Sequence, residues 1–383
     1  MWKKILKSYD YSLIAVFVLL CLFGLTMIYS ASSVVAVQKY GFASDHFYSR
    51  QKIFLLLSMV LFIASAAFPY KAYRNSKFLF ISLFGILAVL ISLLFFGKTV
   101  NNAQSWFSLG GFSIQPAEFA KLVMIVYMSA VYAKKQKYIN SFNKGVIPPI
   151  VFLVVTCMVI AAQPDFGTAF IIFLIGCTII VSSGMKFKSM WKLVVLGLMI
   201  AVILSPVIIW KKDQIFTDEK ISRFTGHFDP FKHQESDGYQ LVNSYLAIGS
   251  GGVTGSGLGQ SVQKLGYLPE PHTDFIMAVI AEELGLFGVI FVLGGLSFIV
   301  LKGIYVSIKC KDPFGSMMAV GISSMIAIQA GINLGGVCGL IPITGVTLPF
   351  ISYGGTSLML LAISMGILVN ISMFNRFESS YRK

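Results

Sequence analysis

Ten apolar runs, each of about 17 to 25 residues and so long enough to cross a bilayer core as a helix, constrain this chain more than any motif in it. They fall at 11–32, 53–69, 78–97, 117–133, 146–162, 168–184, 193–210, 275–301, 315–339 and 355–374. Backbone amides in hydrocarbon have no water to bond, so such runs must close their hydrogen bonds internally. The expected fold is therefore all-α, a polytopic integral membrane protein of about ten transmembrane helices. Composition leaves no soluble alternative. Of the 383 residues 56% are hydrophobic and 12% charged, and the mean hydropathy is +0.80, so polar side chains could not cover a water-facing surface. The first run follows Lys3, Lys4 and Lys7 without a small-x-small cleavage site and reads as a span, not a removable signal peptide.

Charge sets the expected orientation. With a cytoplasmic N-terminus, the inner segments hold 19 of the 30 basic residues, Lys134, Lys135, Lys186, Lys188, Lys309 and Lys311 among them, while the short outer connections hold almost none. Six more (Lys211, Lys212, Lys220, Arg223, Lys232 and Lys264) lie in or beside one long connection, where length weakens the rule. Both termini are expected in the cytoplasm, and the net charge of +14 reflects topology and anionic inner-leaflet lipid, with no nucleic-acid partner. Residues 1–383 read as a single transmembrane domain with one large extracytoplasmic excursion, 211–274. The five cysteines form no CxxC pair and the four histidines have no metal-binding spacing, so neither a disulfide framework nor a histidine metal site is supported.

Polar groups crowd the outer side. Asp274 stands where the long connection enters the eighth run, and a carboxylate that close to hydrocarbon is costly unless paired or functional. It is the first catalytic candidate, although an N-cap of that helix would use the same residue. Glu282 and Glu283 lie about 12 Å deeper at 1.5 Å per residue, and helix packing suits them better than surface chemistry. Glu118 and Lys121 share a helix face at i, i+3 and can neutralise each other. Asp165 follows Pro164 at a turn and can cap the sixth run. Gln329 and Asn333 at i, i+4 suit bonding between helices. Within the excursion, Gly249 to Gly259 contains six glycines in eleven residues. Such a run either lets backbone approach a phosphate or sugar or serves as a flexible re-entrant connector; it lacks the GK[ST] ending of a nucleotide P-loop.

The segments QPAEFAK (115–121), QPDFGTA (163–169), SVQKLGYLPEPHTDFIMAVIAEELG (261–285) and GLIPITGVTLPFISYGGTS (339–357), in that order on ten spans, resemble the SEDS family of bacterial cell-wall polymerases. The likeness covers almost the whole chain and is closer to the division and sporulation branch than to the elongation branch. It implies a peptidoglycan glycosyltransferase that polymerises lipid II outside the cytoplasmic membrane. It also implies a class B penicillin-binding protein transpeptidase as partner, among other division proteins.

Asp274 corresponds to the family's essential aspartate and would act as general base on the acceptor's sugar 4-hydroxyl in an inverting displacement. The diphosphate leaving group needs basic side chains or a divalent cation, Mg or Mn. Arg223, Lys264 and Lys121 are the candidates, with Arg223 favoured over its alternative use in an ion pair with Asp218 or Glu219. Glu118, Asp165, His272 and Ser352 complete the expected substrate-binding set. Two other classes stay open: a lipid II flippase, which would draw on the polar groups inside the spans, and a non-catalytic scaffold, for which Asp274 would be dispensable.

Overall fold

A computed structural model describes residues 2–100, 103–109, 112–136, 139, 147–186, 191–192, 222 and 225–381. The chain starts with α1 (Trp2–Ser8), α2 (Tyr11–Gln38), α3 (His46–Ala67) and α4 (Ser76–Phe96). An antiparallel meander of β1 (Lys98–Val100), β2 (Ala103–Leu109) and β3 (Phe112–Ile114) follows, then α5 (Pro116–Lys134), α6 (Ile147–Ala161) and α7 (Phe166–Ser182). The last helices are α8 (Tyr239–Gly251), α9 (Ile276–Lys309), α10 (Pro313–Val337) and α11 (Gly355–Tyr381).

Among the described residues seven helices (α2, α3, α4, α5, α9, α10 and α11) are long and apolar enough to cross a membrane, and α6 and α7 are shorter apolar helices on the expected fifth and sixth spans. The expected seventh span, 193–210, lies outside the described residues. The small sheet was not legible as strands, because β1 and β3 have only three residues each and the seven of β2, AQSWFSL, do not alternate strictly between apolar and polar. Nor does α9 end where apolarity ends at 301. It runs on through Lys302 and Gly303 to Lys309, shortly before Pro313, which cannot continue a helix and opens the next one.

Both termini share one face of the bundle. The buried Asp10 carboxylate lies 2.5 Å from the Arg376 guanidinium and 3.6 Å from the Lys302 ammonium, which joins the start of α2 to the far ends of α9 and α11. Burial works against that charge, but Ser12, Arg376 and Lys302 together hold the carboxyl below its usual range. On the same face Lys71 meets Glu378 and Arg74 meets Asp312.

The glycine-rich run turns out to be a splice into a broken helix. Gly285 sits at φ +60° inside α9, which interrupts the helical ladder there. Carbonyls freed by the break accept from the long connection, Glu282 O from Ser256 N and Glu283 O from Gly257 N, while Leu286 N donates to the carbonyls of Gly252 and Val253. Backbone can come this close only without side chains: a Cβ at Gly251 would overlap the Ala281 carbonyl and one at Gly255 the Glu283 carbonyl. The run is thus committed to α9 and satisfies its orphaned groups, as backbone at membrane depth must be.

Candidate functional site

Of the residues singled out in the sequence, the described ones gather on the face opposite the termini, and the backbone at Asp274 is held from several sides. Three successive carbonyls ahead of α9 are each held from another element. His272 O accepts from Tyr353 N at 2.9 Å, Thr273 O from the Ser352 hydroxyl at 2.6 Å, and Asp274 O from Asn333 Nδ2 at 2.8 Å. Ser352 also accepts from Leu348 N at 2.9 Å, so its hydroxyl is used in both directions to tie the 348–352 turn to the residues before Asp274. Asn333 donates a second time, to Val346 O at 2.8 Å. Backbone held at three consecutive positions fixes the base of the Asp274 side chain.

Beside Asp274 lies a small cleft, with room for about one water, walled by Asn333, Thr344, Gly345 and Val346, with Ile332 and Val337 lining it from α10. Gly345 has φ +74°, where a side chain would be strained, and it lies against the carboxylate: a Cβ there would stand in ordinary contact, 3.6 Å from Asp274 Oδ2.

His272 is in the neighbourhood but carries no charge to use. Its ring is 2% exposed, 4.4 Å from Phe47 and 5.6 Å from Tyr353 between centroids, and burial pushes its pKa down to about 4. Protonation is opposed in the folded state, so the contribution to stability is complete above about pH 6.5 and is lost as pH falls toward 4. Replacing His272 by Phe should flatten the acid-side fall in melting temperature over that window, which corresponds to about 3 kcal/mol. Melting curves of parent and H272F between pH 4 and 7 check this; parallel pH dependence would exclude it.

A second group forms where α5, the 162–165 turn and α11 meet. Gln115 Nε2 donates to Asp165 Oδ2 at 2.9 Å, Asp165 Oδ1 caps α7 by accepting from Thr168 N at 3.1 Å, and Gln115 N lies 3.4 Å from the Thr356 hydroxyl. The Lys121 ammonium, 1% exposed in its side chain, pairs with Glu118 at 2.7 Å. The two groups adjoin, since a Cβ at Gly167 would stand 3.3 Å from the carbonyl of Thr344 in the cleft wall.

Lys264 is held apart from the cleft. Its ammonium is buried, 2.6 Å from Glu283 and 2.9 Å from the Ser30 hydroxyl. Ser30 in turn donates to both Glu283 oxygens. Neighbouring Glu282 accepts from the Ser261 hydroxyl and from Val262 N at 2.8 Å. Both carboxylates therefore clasp the 261–264 turn onto α9, with α2 as a third support. The expected packing role of this acidic pair holds, and the expected use of Lys264 toward a substrate meets a cation already engaged. Arg223 lies outside the described residues.

Two contributors escaped sequence reasoning. Asn333 was read as a bond between helices, yet it bonds two loops, and no spacing reveals that. Arg50 on α3 lies against the Tyr353 hydroxyl, where its guanidinium pulls the phenol pKa down against the larger upward push of burial. An isolated arginine at the mouth of a span on the lysine-poor side was the available signal.

A family model described as cell cycle protein, covering FtsW, RodA and SpoVE, matches residues 10–377. The chain is 57% identical over 383 residues to the probable peptidoglycan glycosyltransferase FtsW of Bacillus subtilis strain 168, covering 100% of this chain and 95% of that one. It is 38% identical over 373 residues to stage V sporulation protein E of the same strain, covering 97% and 98%. Among solved structures, a chain from a work on a peptidoglycan synthase complex that coordinates polymerization and crosslinking superposes with TM-score 0.75 at 21% identity, covering 96% and 98% of the two chains. Thermus thermophilus rod shape determining protein RodA superposes with TM-score 0.66 at 21% identity, covering 95% and 96%. At that identity the structural likeness speaks for the fold.

Proposed function

As a member of the FtsW/RodA/SpoVE family of cell cycle proteins, to which it belongs over residues 10–377, the chain is a peptidoglycan glycosyltransferase, and we propose that it polymerises lipid II on the outer face of the cytoplasmic membrane during cell division. The observation that carries this reading is Asp274 at the wall of a cleft, with the carbonyls of residues 272–274 each held from another element. A general base must be placed before it can act, and rigid placement of one carboxylate is what a single-base inverting transfer requires.

In that transfer the acceptor's 4-hydroxyl gives its proton to Asp274 while its oxygen bonds to the donor's anomeric carbon. The bond from that carbon to the diphosphate breaks, and the electron pair leaves with the diphosphate. Basic side chains, with or without a divalent cation such as Mg or Mn held by the diphosphate itself, would stabilise the leaving group. With Lys121 and Lys264 engaged by Glu118 and Glu283, the basic side chains we propose for this task are Arg223, favoured by its place in the long connection, and Arg50 beside Tyr353.

The outer placement follows from charge, the lysine-rich connections lying on the face that holds the termini. In a Cys338→Ser background, a cysteine replacing Lys232 should react with a membrane-impermeant thiol reagent in intact cells, and one replacing Lys311 should not. Lys232 has a 75% exposed side chain in the long connection, and Lys311 lies between α9 and α10. The reverse labelling pattern would put Asp274 in the cytoplasm and end the proposal.

A lipid II flippase would draw on Glu282 and Glu283 to line a path, but their oxygens are taken by Lys264, Ser30 and the 261–263 turn. A class B penicillin-binding protein is the partner that fits this reading, its transpeptidase crosslinking the strands made here. The deciding experiment supplies lipid II to the purified protein, with and without that transpeptidase, and assays glycan polymer. Absence of polymer under both conditions would overturn the assignment.

A further inference from the structure

We propose that Gly24 and Phe350 are positioning residues for Asp274: α2, seated against the 348–352 turn, sets the place from which Ser352 and Tyr353 hold the residues ahead of the general base. This rests on the glycosyltransferase reading above and concerns how its base is placed. Ile351 N and Ser352 N both donate to Leu348 O, at 3.3 and 3.1 Å, which closes the turn around Pro349 and Phe350. Phe350 has φ +67°. Proline at the second position and a positive φ at the third are the marks of a type II turn, whose third position favours glycine. A bulky side chain in that left-handed region is strained, and it persists only where its surroundings over-determine it.

Here α2 supplies the surroundings. Phe350 is buried and sets its ring edge to face against Phe17, with centroids 5.4 Å apart. Gly24, at i+7 from Phe17 and so on the same face of α2, lies against the backbone of the turn. A Cβ there would stand 2.7 Å from Phe350 O and 2.8 Å from Ile351 Cα. One helix face thus grips Phe350 at its ring and at its carbonyl. Gly24 is about 21 Å from the end of α2 at Gln38, at 1.5 Å per residue, which puts the turn at membrane depth, where backbone groups find partners only within the protein. What the turn carries is the support of Asp274. Ser352 donates to Thr273 O at 2.6 Å and Tyr353 N to His272 O at 2.9 Å, so a shift of Phe350 reaches Asp274 through Ser352 and Thr273.

The test begins with Gly24→Ala. Its added methyl must push the Phe350 carbonyl away by several tenths of an ångström, while the better helix propensity of alanine favours α2 itself. Misplacing a reacting group by about 1 Å can cost about a hundredfold in rate, and the smaller shift here should lower kcat for glycan polymerisation by about tenfold per folded molecule, with KM within about threefold of the parent. Ser352→Ala cuts the link to Thr273 and should lower kcat by a similar factor. The double variant G24A/S352A should be no slower than the slower single variant, since both changes act through one contact. Phe350→Gly suits φ +67° without strain but offers Phe17 no ring; it should behave as G24A does in the same cycle, and it carries the test where G24A fails to insert.

Losses that multiply in the double variant would overturn the proposal, because Gly24 would then reach activity by another route. A kcat within about threefold of the parent in G24A or in S352A, or a raised KM with kcat kept, would overturn it as well. Failure of the parent to polymerise lipid II would instead strike the glycosyltransferase reading and take the proposal with it.

Discussion

Asp274→Asn is expected to abolish glycan polymer formation from lipid II while the protein still inserts and binds its transpeptidase. The substitution removes the proton acceptor and preserves shape. The tethers are to the carbonyls of residues 272–274, so asparagine keeps all three. Loss of a positioned general base typically costs about a hundredfold to ten-thousandfold in rate. Polymer yield per folded molecule, with partner binding as the control, measures it. A rate within about tenfold of the parent would show that Asp274 is not the base.

The second large effect concerns the Lys264–Glu283 pair, buried at 4% and 0% side-chain exposure. Glu283→Leu should strand the Lys264 ammonium, and Lys264→Met should strand the carboxylate, each destabilising the protein by about 3–5 kcal/mol because a buried charge is left without its partner. The double variant K264M/E283L removes both charges and fills the space with apolar groups, and it should recover most of that loss. Denaturation of the three variants in one detergent decides the matter. Single variants within about 1 kcal/mol of the parent would mean the pair is wetter or looser than its geometry implies.

How far the chain could be read without coordinates differs from element to element. Hydrophobic length alone located α2, α3, α4, α5, α9, α10 and α11 to within a few residues at most ends, because a bilayer leaves an apolar run only one way to satisfy its backbone. The Glu118–Lys121 pair and the Asp165 cap were legible too, since both are local: i, i+3 on one helix, and a side chain three residues before the amide it accepts from. The glycine-rich run was legible only as permission for close approach. What it approaches, a break in α9 at Gly285, depends on 30 or so intervening residues folding back, and no local spacing encodes that.

Sequence by itself determined the membrane architecture, the crowding of polar groups toward one side and Asp274 as the residue to test, because hydrophobicity, charge and helical period are properties of neighbours along the chain. Tertiary structure decided which of those polar groups are engaged and with whom. It bound Lys264 to Glu283, turned Ser352 into a brace, kept His272 neutral against Phe47, and brought Asn333 to the backbone of Asp274. The reason is physical: a side chain in a low-dielectric interior must find its hydrogen-bond partner wherever the fold provides one, and here those partners lie 13 to 253 residues away.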